Sequence, residues 1–290
     1  KKKWTPVCKY RGPLTLKGEK MKNTNVITHP QKTTEDIPHI DEAEKKEETP
    51  KQKKPAGKKS EPVFDPQKAF LDAFRKLTYR HRAWDAWHDF IIMFACALSN
   101  AVDKEHYNGR EALYLETIQK YNKQEQELFP ELLAQTVLAL EKNPEQDFLG
   151  SIFMSLNLGN EFNGQFFTPY HVCELMAEMT MDGTVQTVEQ NGYISVNDPC
   201  CGAGATLIAA IHAARKRLEK ANINYQNHVL VAAQDIDMTV ALMCYIQLSL
   251  LGVAGYVKIG NSITDPITDK DSYENYWFTP MYFSPVWTMR

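Results

Sequence analysis

The stretch "VNDPCCGAGATLIAA", residues 196–210, decides the fold of this chain. A β-rich run ends at Asp198, glycines follow at positions 202 and 204, and a run of small and apolar residues begins at once. Glycines in such a turn let a ligand approach the backbone closely, and the first turn of the next helix offers free N–H groups. The stretch therefore predicts a strand, a ligand-binding loop and a helix, in that order.

The segments that follow repeat this alternation. The pattern predicts a helix over 206–222, a buried strand over 228–237, a second helix over 238–252 and a third strand over 254–262. Strands that alternate with helices are typical of a parallel sheet covered by its crossover helices. Asp235 ends the second strand, where an acid can hold two ribose hydroxyls. The sequence thus predicts a nucleoside-binding α/β sheet.

Two further regions precede this sheet, which is predicted to occupy a domain over 161–290. Residues 1–62 are expected to form a disordered, charged and locally basic tail, because so few apolar residues cannot offset the ordering entropy. Apolar residues at three- and four-residue spacing predict a helical domain over 63–160, which begins near Pro66. Met21 is a more natural start than Lys1, so whether residues 1–20 are native is left open.

The composition of the chain limits the classes of function that it can have. The 290-residue chain has a net charge of −3, so overall charge gives no support for nucleic-acid binding and any basic surface must be local. The six cysteines lack the C-x-x-C spacing of a zinc site, so we expect no metal, and we expect buried free thiols in a reducing cytosol. No signal peptide is evident, and the longest apolar runs are too short to cross a membrane.

The glycine loop distinguishes two classes of nucleotide cofactor. A dinucleotide fingerprint reads G-x-G-x-x-G/A, whereas Leu207 stands at its last position here. An acid before the glycines repels a pyrophosphate but suits a cation. We therefore predict S-adenosylmethionine, which carries a sulfonium and an ammonium group, as the ligand.

Four stretches resemble, in order, the motifs of amino-group DNA methyltransferases, specifically adenine-N6 methylases and the modification (M) subunits of type I restriction-modification systems. They are "GQFFTP" (164–169), "DPCCGAGA" (198–205), "AAQDID" (232–237) and "IGNS" (259–262). The resemblance covers about residues 145–290. It implies a Rossmann-like S-adenosylmethionine-dependent methyltransferase sheet, short at its C-terminus and preceded by an N-terminal helical bundle.

The resemblance also implies a set of cofactor-binding residues. They are Phe167, Thr168, Pro169, Asp198, Pro199, Cys200, Gly202, Gly204, Asp235 and Asn261. The first three would flank the methionine end of the cofactor, and the loop from Asp198 to Gly204 would hold its amino-acid part. Asp235 would bind the ribose, with Asp237 as a substitute, and Asn261 would contact the adenine. The adjacent cysteines are then small fillers in the loop.

The segment "FSPVW" (283–287) stands where the family has [Asn/Asp/Ser]-Pro-Pro-[Tyr/Phe/Trp]. The resemblance implies Ser284, Pro285 and Trp287 as catalytic residues. A side-chain oxygen and a backbone carbonyl would accept the N–H bonds of the target amine, and the ring would stack on a flipped-out base. Val286 replaces the second proline, and serine is more typical of the cytosine-N4 branch, so a working acceptor site and a decayed motif both stay open.

Taken together, these features predict a site-specific DNA methyltransferase, adenine-specific and cytoplasmic, of a restriction-modification type. DNA would be the substrate, and a separate specificity subunit would supply sequence recognition. A catalytically degenerate, cofactor-binding accessory protein is the alternative. Two further alternatives are a methyltransferase for proteins or small molecules, which "GQFFTP" argues against, and a nucleotide-sugar or dinucleotide enzyme, which the missing third glycine argues against.

Overall fold

The computed structural model describes residues 64–158 and 167–290. The predicted tail, 1–62, lies outside the described residues, as does the predicted boundary between residues 160 and 161. The division into these domains therefore stays a prediction.

Six helices form residues 64–158. They are α1 (Pro66–Leu77), α2 (Ala83–Val102), α3 (Tyr107–Ile118), α4 (Lys123–Gln126), α5 (Leu128–Lys142) and α6 (Phe148–Ser155). Asp65 caps α1 by accepting hydrogen bonds from the backbone N–H groups of Gln67 and Lys68, as its position before Pro66 predicts. This region is helical, in agreement with its three- and four-residue apolar spacing.

The second described part alternates helices and strands. Its elements are α7 (Tyr170–Thr180), α8 (Thr184–Asn191), β1 (Ile194–Asp198), α9 (Ala205–Lys220), β2 (Val229–Asp235), α10 (Met238–Leu250), β3 (Ala254–Ile259), β4 (Tyr276–Phe278) and α11 (Pro285–Thr288). Two short 3-10 helices lie at Tyr225–Asn227 and Pro280–Phe283. The predicted α/β class is confirmed.

Strand direction determines which residues share an edge of the sheet. The order is β1-β2-β3-β4, and the first three strands are parallel, with Asp198 opposite Ala233 and Asp235 opposite Ile259. Their carboxyl ends therefore meet at one edge. β4 runs antiparallel to β3, with Phe278 opposite Tyr256. The chain consequently leaves β4 towards the opposite edge, where the parallel strands begin.

One apolar core joins the helical region to the sheet. It includes Trp87 and Phe90 of α2, Val231 of β2, Tyr245 of α10 and Val257 of β3, all essentially inaccessible to solvent. The two regions therefore support each other by burial of a common surface. Among the described residues, no helix combines the length and the apolar character needed to cross a membrane.

Candidate cofactor site

Asp198 holds the loop between β1 and α9. Its carboxylate accepts hydrogen bonds from the backbone N–H of Cys200 at 3.0 Å and from the hydroxyl of Thr206 at 2.5 Å. The N–H of Cys201 donates to the carbonyl of Gln234 in β2 at 3.0 Å. The loop is thus anchored to its own strand and to the neighbouring one, so its conformation is fixed without a ligand.

Asp235, at the end of β2, receives two backbone N–H groups. Gly202 donates to one oxygen at 2.8 Å and Asp237 donates to the other at 3.0 Å. Burial raises the pKa of the Asp235 carboxyl, these two hydrogen bonds oppose the rise, and the charges of Asp237 and Asp198 add to it. Each carboxylate oxygen keeps a further lone-pair position. Asp235 can therefore still accept hydrogen bonds from hydroxyl groups of a ligand.

The carboxylates of Asp198 and Asp235 belong to one site. Asp198 pairs with Ala233, which stands two residues before Asp235 on the adjacent strand. With strands about 4.8 Å apart and a rise of about 3.3 Å per residue, the Cα atoms of the two acids are roughly 8 Å apart. A ligand of nucleoside size can contact both.

Two glycines in left-handed conformations shape the loop. Gly202 has a φ of +52° and Gly204 a φ of +95°. A Cβ atom at Gly204 would lie 2.8 Å from the Sγ of Cys244 in α10, so a side chain there collides with that helix. A Cβ atom at Gly202 would lie 3.4 Å from the Phe167 ring, which places this ring against the loop. The loop therefore passes between α10 and Phe167.

The segment before α7 forms one side of the site. The Phe167 ring packs on Phe153 of α6, with ring centroids 5.3 Å apart. Thr168 and Pro169 are exposed, and Pro169 precedes the first residue of α7. The first three residues of "GQFFTP", 164–166, lie outside the described residues.

Asn261 follows β3 at the same edge. Its side-chain oxygen accepts hydrogen bonds from the N–H groups of Ile263 at 2.9 Å and Thr264 at 3.3 Å, which fixes a sharp turn. The N–H of Gly260 donates to the carbonyl of Asp235 at 2.9 Å. The turn is thus tied to β2, and the NH2 group of Asn261 is the part of its side chain left for a ligand.

Sequence reasoning missed two buried polar side chains that hold the loop after β3. The Nζ of Lys258 lies 2.8 Å from a carboxylate oxygen of Asp265 and 2.7 Å from one of Asp271. The Nε2 of Gln234 donates to the carbonyl of Asp265 at 2.8 Å. Each of these long polar side chains interrupts an otherwise apolar strand, and this interruption is the sequence signal that could have predicted their role.

Sequence reasoning also missed how the helical region reaches the site. The Nδ1 of His88 in α2 lies 2.8 Å from the hydroxyl of Thr239 in the first turn of α10, and burial lowers the pKa of this imidazole. The Nε2 of Gln247 donates to Asp147 at 2.8 Å and to the carbonyl of Ala203 at 2.9 Å. A single amide inside the apolar α10 was the feature that could have revealed the second contact.

The prediction that the cysteines are buried free thiols is confirmed at four described positions and is wrong at Cys200. Cys96, Cys173, Cys201 and Cys244 are buried free thiols, whereas Cys200 is an exposed one. A hydrogen bond with Cys244, together with burial, raises the pKa of the Cys201 thiol well above its ordinary value. In the part of the chain that the structure describes, no group of three or more His, Cys, Asp and Glu side chains is placed to hold a metal.

Ser284, Pro285 and Trp287 lie at the other edge of the sheet. The chain leaves β4 at Phe278 in the direction opposite to β3 and enters a 3-10 helix, after which Ser284 and Pro285 begin α11. The indole N–H of Trp287 donates to the carbonyl of Gln226 at 2.8 Å, and Gln226 precedes β2. These residues are therefore grouped with the beginnings of the parallel strands.

The separation from the cofactor loop is large. The Trp287 ring packs with Leu230 and Ala254, near the starts of β2 and β3. Leu230 stands five residues before Asp235, roughly 17 Å along the strand. Ser284 has a buried hydroxyl without a hydrogen-bond partner among the described residues. The structure thus does not bring the predicted acceptor residues to the cofactor edge, and their catalytic role stays a prediction.

Comparison with known families is consistent with the geometry of the loop. Residues 150–289 match the family described as N-6 DNA methylase. The match includes β1, the glycine loop and the strands that carry Asp198 and Asp235. It confirms the resemblance inferred from the four motifs.

A solved structure shows a more distant likeness. It is the crystal structure of a protein from Listeria monocytogenes, described as a proposed class I S-adenosylmethionine-dependent methyltransferase, with 11% sequence identity and a TM-score of 0.37. The likeness covers 70% of this chain and 55% of that one, so the chain spans about half the length of that protein. Among curated proteins, no match was found.

Proposed function

Because residues 150–289 match the N-6 DNA methylase family, we propose that this chain binds S-adenosylmethionine and transfers its methyl group to N6 of adenine in DNA. The single observation that carries the cofactor assignment is the pairing of Asp198 and Asp235 around a preformed glycine loop at one edge of the sheet. The family match implies S-adenosylmethionine as the cofactor.

The residues at this edge fit such a cofactor. Two carboxylates suit a ligand that carries two positive charges, and Asp235 has the lone pairs to accept two ribose hydroxyls. A Cβ atom at Gly204 would collide with Cys244, so the loop backbone can run this close to α10 only with glycine. When bound, S-adenosylmethionine supplies an electrophilic methyl group on its sulfonium.

Each side of the site has a proposed role. Asp198 fixes the loop whose backbone receives the amino-acid part of the cofactor, and Asp235 receives the ribose. Phe167 closes the methionine end and excludes water from it, with Thr168 and Pro169 beside it. Asn261 offers its NH2 group to the adenine ring.

A second function is favoured by one specific observation. Ser284, Pro285 and Trp287 lie at the edge opposite to the cofactor loop. A chain that binds the cofactor but lacks an acceptor for the target amine would act as a catalytically degenerate accessory protein of a DNA-modification system. This is our alternative to the methyltransferase.

The biological setting belongs to the same proposal. We place the chain in a restriction-modification type of system in the cytoplasm, with a partner protein supplying sequence recognition. Two exposed arginines are already paired with acids, Arg75 with Asp72 and Arg215 with Glu219, which supports a partner protein as the source of DNA contacts.

Two measurements on the full chain separate the two functions. The first is calorimetric titration with S-adenosylmethionine. The second is transfer of tritium-labelled methyl to single-stranded oligonucleotides that contain adenine, with adenine-free oligonucleotides as the control. Single strands are suitable because no base needs to be extruded from a duplex. Binding with adenine-dependent transfer supports the enzyme, and binding without transfer supports the accessory protein. Absence of binding rejects both.

A further inference from the structure

The turn between α1 and α2 exposes basic and aromatic side chains next to one another. Tyr79 is 84% exposed, more than any other aromatic residue in the described part of the chain. Arg80 and Arg82 follow it in the turn, Lys76 precedes it in the last turn of α1, and all three are exposed. These four residues, hereafter the basic turn, place cations on both sides of an exposed ring.

Most of the positive charge of the basic turn is not neutralised within the described residues. The side chains of Lys76 and Arg82 have no ion pair there. Arg80 lies 3.6 Å from Glu125, and its side chain remains exposed. Asp85, one turn into α2, is the next exposed acid along the chain. Three cations thus stand against two acids, which makes this surface locally basic in a chain whose net charge is −3.

Helix α2 places the basic turn beside the candidate cofactor site. His88, six residues after Arg82, contacts the first turn of α10, which begins directly after β2. The ring of Trp84 packs on that of Phe153, with centroids 5.9 Å apart, and Phe153 packs on Phe167 at the glycine loop. The basic turn therefore lies on the side of the molecule that carries the candidate cofactor site.

This combination of side chains fits a strand of DNA. Lys and Arg side chains neutralise phosphates, which supplies most of the affinity that does not depend on sequence. Exposed aromatic rings among such cations stack on unpaired bases. Residues 150–289 match the N-6 DNA methylase family, and the proposed reaction requires a DNA strand at the cofactor edge.

We propose that the basic turn binds the DNA strand that carries the target adenine, with its three cations on the phosphates and Tyr79 stacked on a base. The inference rests on the proposed function, because it takes DNA as the substrate. Contacts of this kind do not read sequence, so the partner protein still supplies recognition of a site. They hold the strand next to the candidate cofactor site whether or not this chain completes the transfer.

Fluorescence anisotropy with a labelled single-stranded oligonucleotide measures this binding on the full chain. We expect Arg80→Gln/Arg82→Gln to weaken it about tenfold, because two phosphate contacts are lost. Lys104→Gln/Lys220→Gln is the matched control with the same change in charge, since these exposed lysines lie just beyond α2 and at the end of α9. It should leave the affinity nearly unchanged. Equal weakening by the two pairs, or no binding of the oligonucleotide by wild type, would overturn the proposal.

The salt dependence of binding tests whether the arginines contact phosphates. For a single strand, the slope of log affinity against log salt concentration changes by about 0.7 for each phosphate contact. The slope should become shallower by about 1.4 in Arg80→Gln/Arg82→Gln. It should stay close to the wild-type slope in Arg80→Lys/Arg82→Lys, which keeps both charges. An unchanged slope in the glutamine pair would contradict the proposal.

Tyr79→Ala tests the contact with a base. We expect it to weaken binding of the ordinary oligonucleotide about tenfold. Binding of an abasic oligonucleotide of the same length should not change, since it has no base to stack on the ring. An equal loss on both oligonucleotides, or no loss on either, would overturn the proposal. Competition by poly-glutamate as effective as that by unlabelled DNA would overturn it in favour of an acidic protein partner.

Failure of this inference can be distinguished from failure of the proposed function. Affinity for S-adenosylmethionine and thermal unfolding should stay at wild-type values in all these variants, because none of the changed residues belongs to the candidate cofactor site. If wild type methylates adenine while Arg80→Gln/Arg82→Gln binds DNA as wild type does, the inference fails and the proposed function stands. If wild type binds no cofactor while the same variant loses DNA binding, the DNA contact stands and the proposed function fails.

Discussion

The two edges of the sheet differ in how their residues are held. At the carboxyl edge, the carboxylates of Asp198 and Asp235 accept backbone N–H groups, so charge and backbone shape are fixed together. At the amino edge, Trp287 and Tyr193 pack edge to face, with ring centroids 5.8 Å apart. Both edges carry a short stretch that matches a methylase motif. A motif match alone does not tell whether two motifs contact the same ligand. Strand direction determines that, because it sets the edge of the sheet at which each motif lies.

The largest expected effect concerns the carboxyl edge. Asp235→Asn is expected to weaken binding of S-adenosylmethionine roughly 10- to 100-fold, because hydrogen bonds to a charged group contribute about 1.5–3 kcal/mol. Calorimetric titration measures the change. Asp269→Asn is the matched control, since Asp269 is an exposed acid away from the strand ends. If the two variants bound equally well, the comparison between the edges would lose its basis.

The loop backbone gives the next effect. Gly204→Ala is expected to lower the free energy of unfolding by about 2–4 kcal/mol, because it combines a left-handed residue with a collision against Cys244. Urea denaturation measures this value. Gly109→Ala in α3 is the control, since no atom lies within 4 Å of the added Cβ, and it should stabilise by about 0.5–1 kcal/mol. Equal stabilities of the two variants would contradict the loop geometry.

The pH dependence of cofactor binding and of folding stability tests the role of Asp235. Burial raises the pKa of this carboxyl, so binding that needs its charge should weaken on acidification at a higher pH than for an ordinary aspartate, whose pKa is about 3.9. Its effect on folding has the opposite sign. A folded pKa above the unfolded one means that the native state binds the proton more readily, so this group's contribution to stability grows as pH falls through the folded pKa.

Cofactor binding and folding stability of wild type and Asp235→Asn are measured at a series of acidic pH values. Asp235→Asn should lose the part of the pH dependence of affinity and of stability that Asp235 supplies. Asp269→Asn should keep it. A wild-type affinity that stayed constant down to pH values near 4 would contradict the assignment of Asp235.

The smallest effect is expected at the amino edge. Ser284→Ala removes a buried hydroxyl without a hydrogen-bond partner, so stability should be unchanged or rise by up to about 1 kcal/mol. Cofactor binding and any methyl transfer should stay at the wild-type level. A loss of transfer with intact folding and binding would restore Ser284 as the acceptor residue and would reverse our comparison of the edges.

The carboxyl edge could be predicted from the sequence because its information is local. An acid, two glycines and a small-residue helix follow one another between Asp198 and Ala210, and Asp235 ends the next apolar strand. The amino edge could not be predicted in this way. β4 has three residues, and its direction depends on distant contacts, such as the hydrogen bond from the Thr279 hydroxyl to the carbonyl of Val253 at 2.6 Å.

Contacts across long sequence distances explain the other omissions. From the sequence, His88 is an ordinary polar residue of an amphipathic helix. Its contact with Thr239 of α10 becomes visible only when α2 is packed beside α10. Likewise, the apolar residues of α7 fit the spacing of a buried face, and only the packed structure shows that Leu175 and Met179 face solvent. Periodicity identifies a face of a helix but not what covers it.

The buried amide of Gln247 has a consequence for engineering. Its oxygen accepts the N–H of Leu149 at 3.1 Å, while its nitrogen reaches Asp147 and the carbonyl of Ala203. One side chain thus satisfies backbone groups of α6 and of the glycine loop together. A chimera that exchanged the helices for those of a relative would leave these groups unpaired unless it carried the same amide and the same acid. The two halves of this protein are therefore not interchangeable modules.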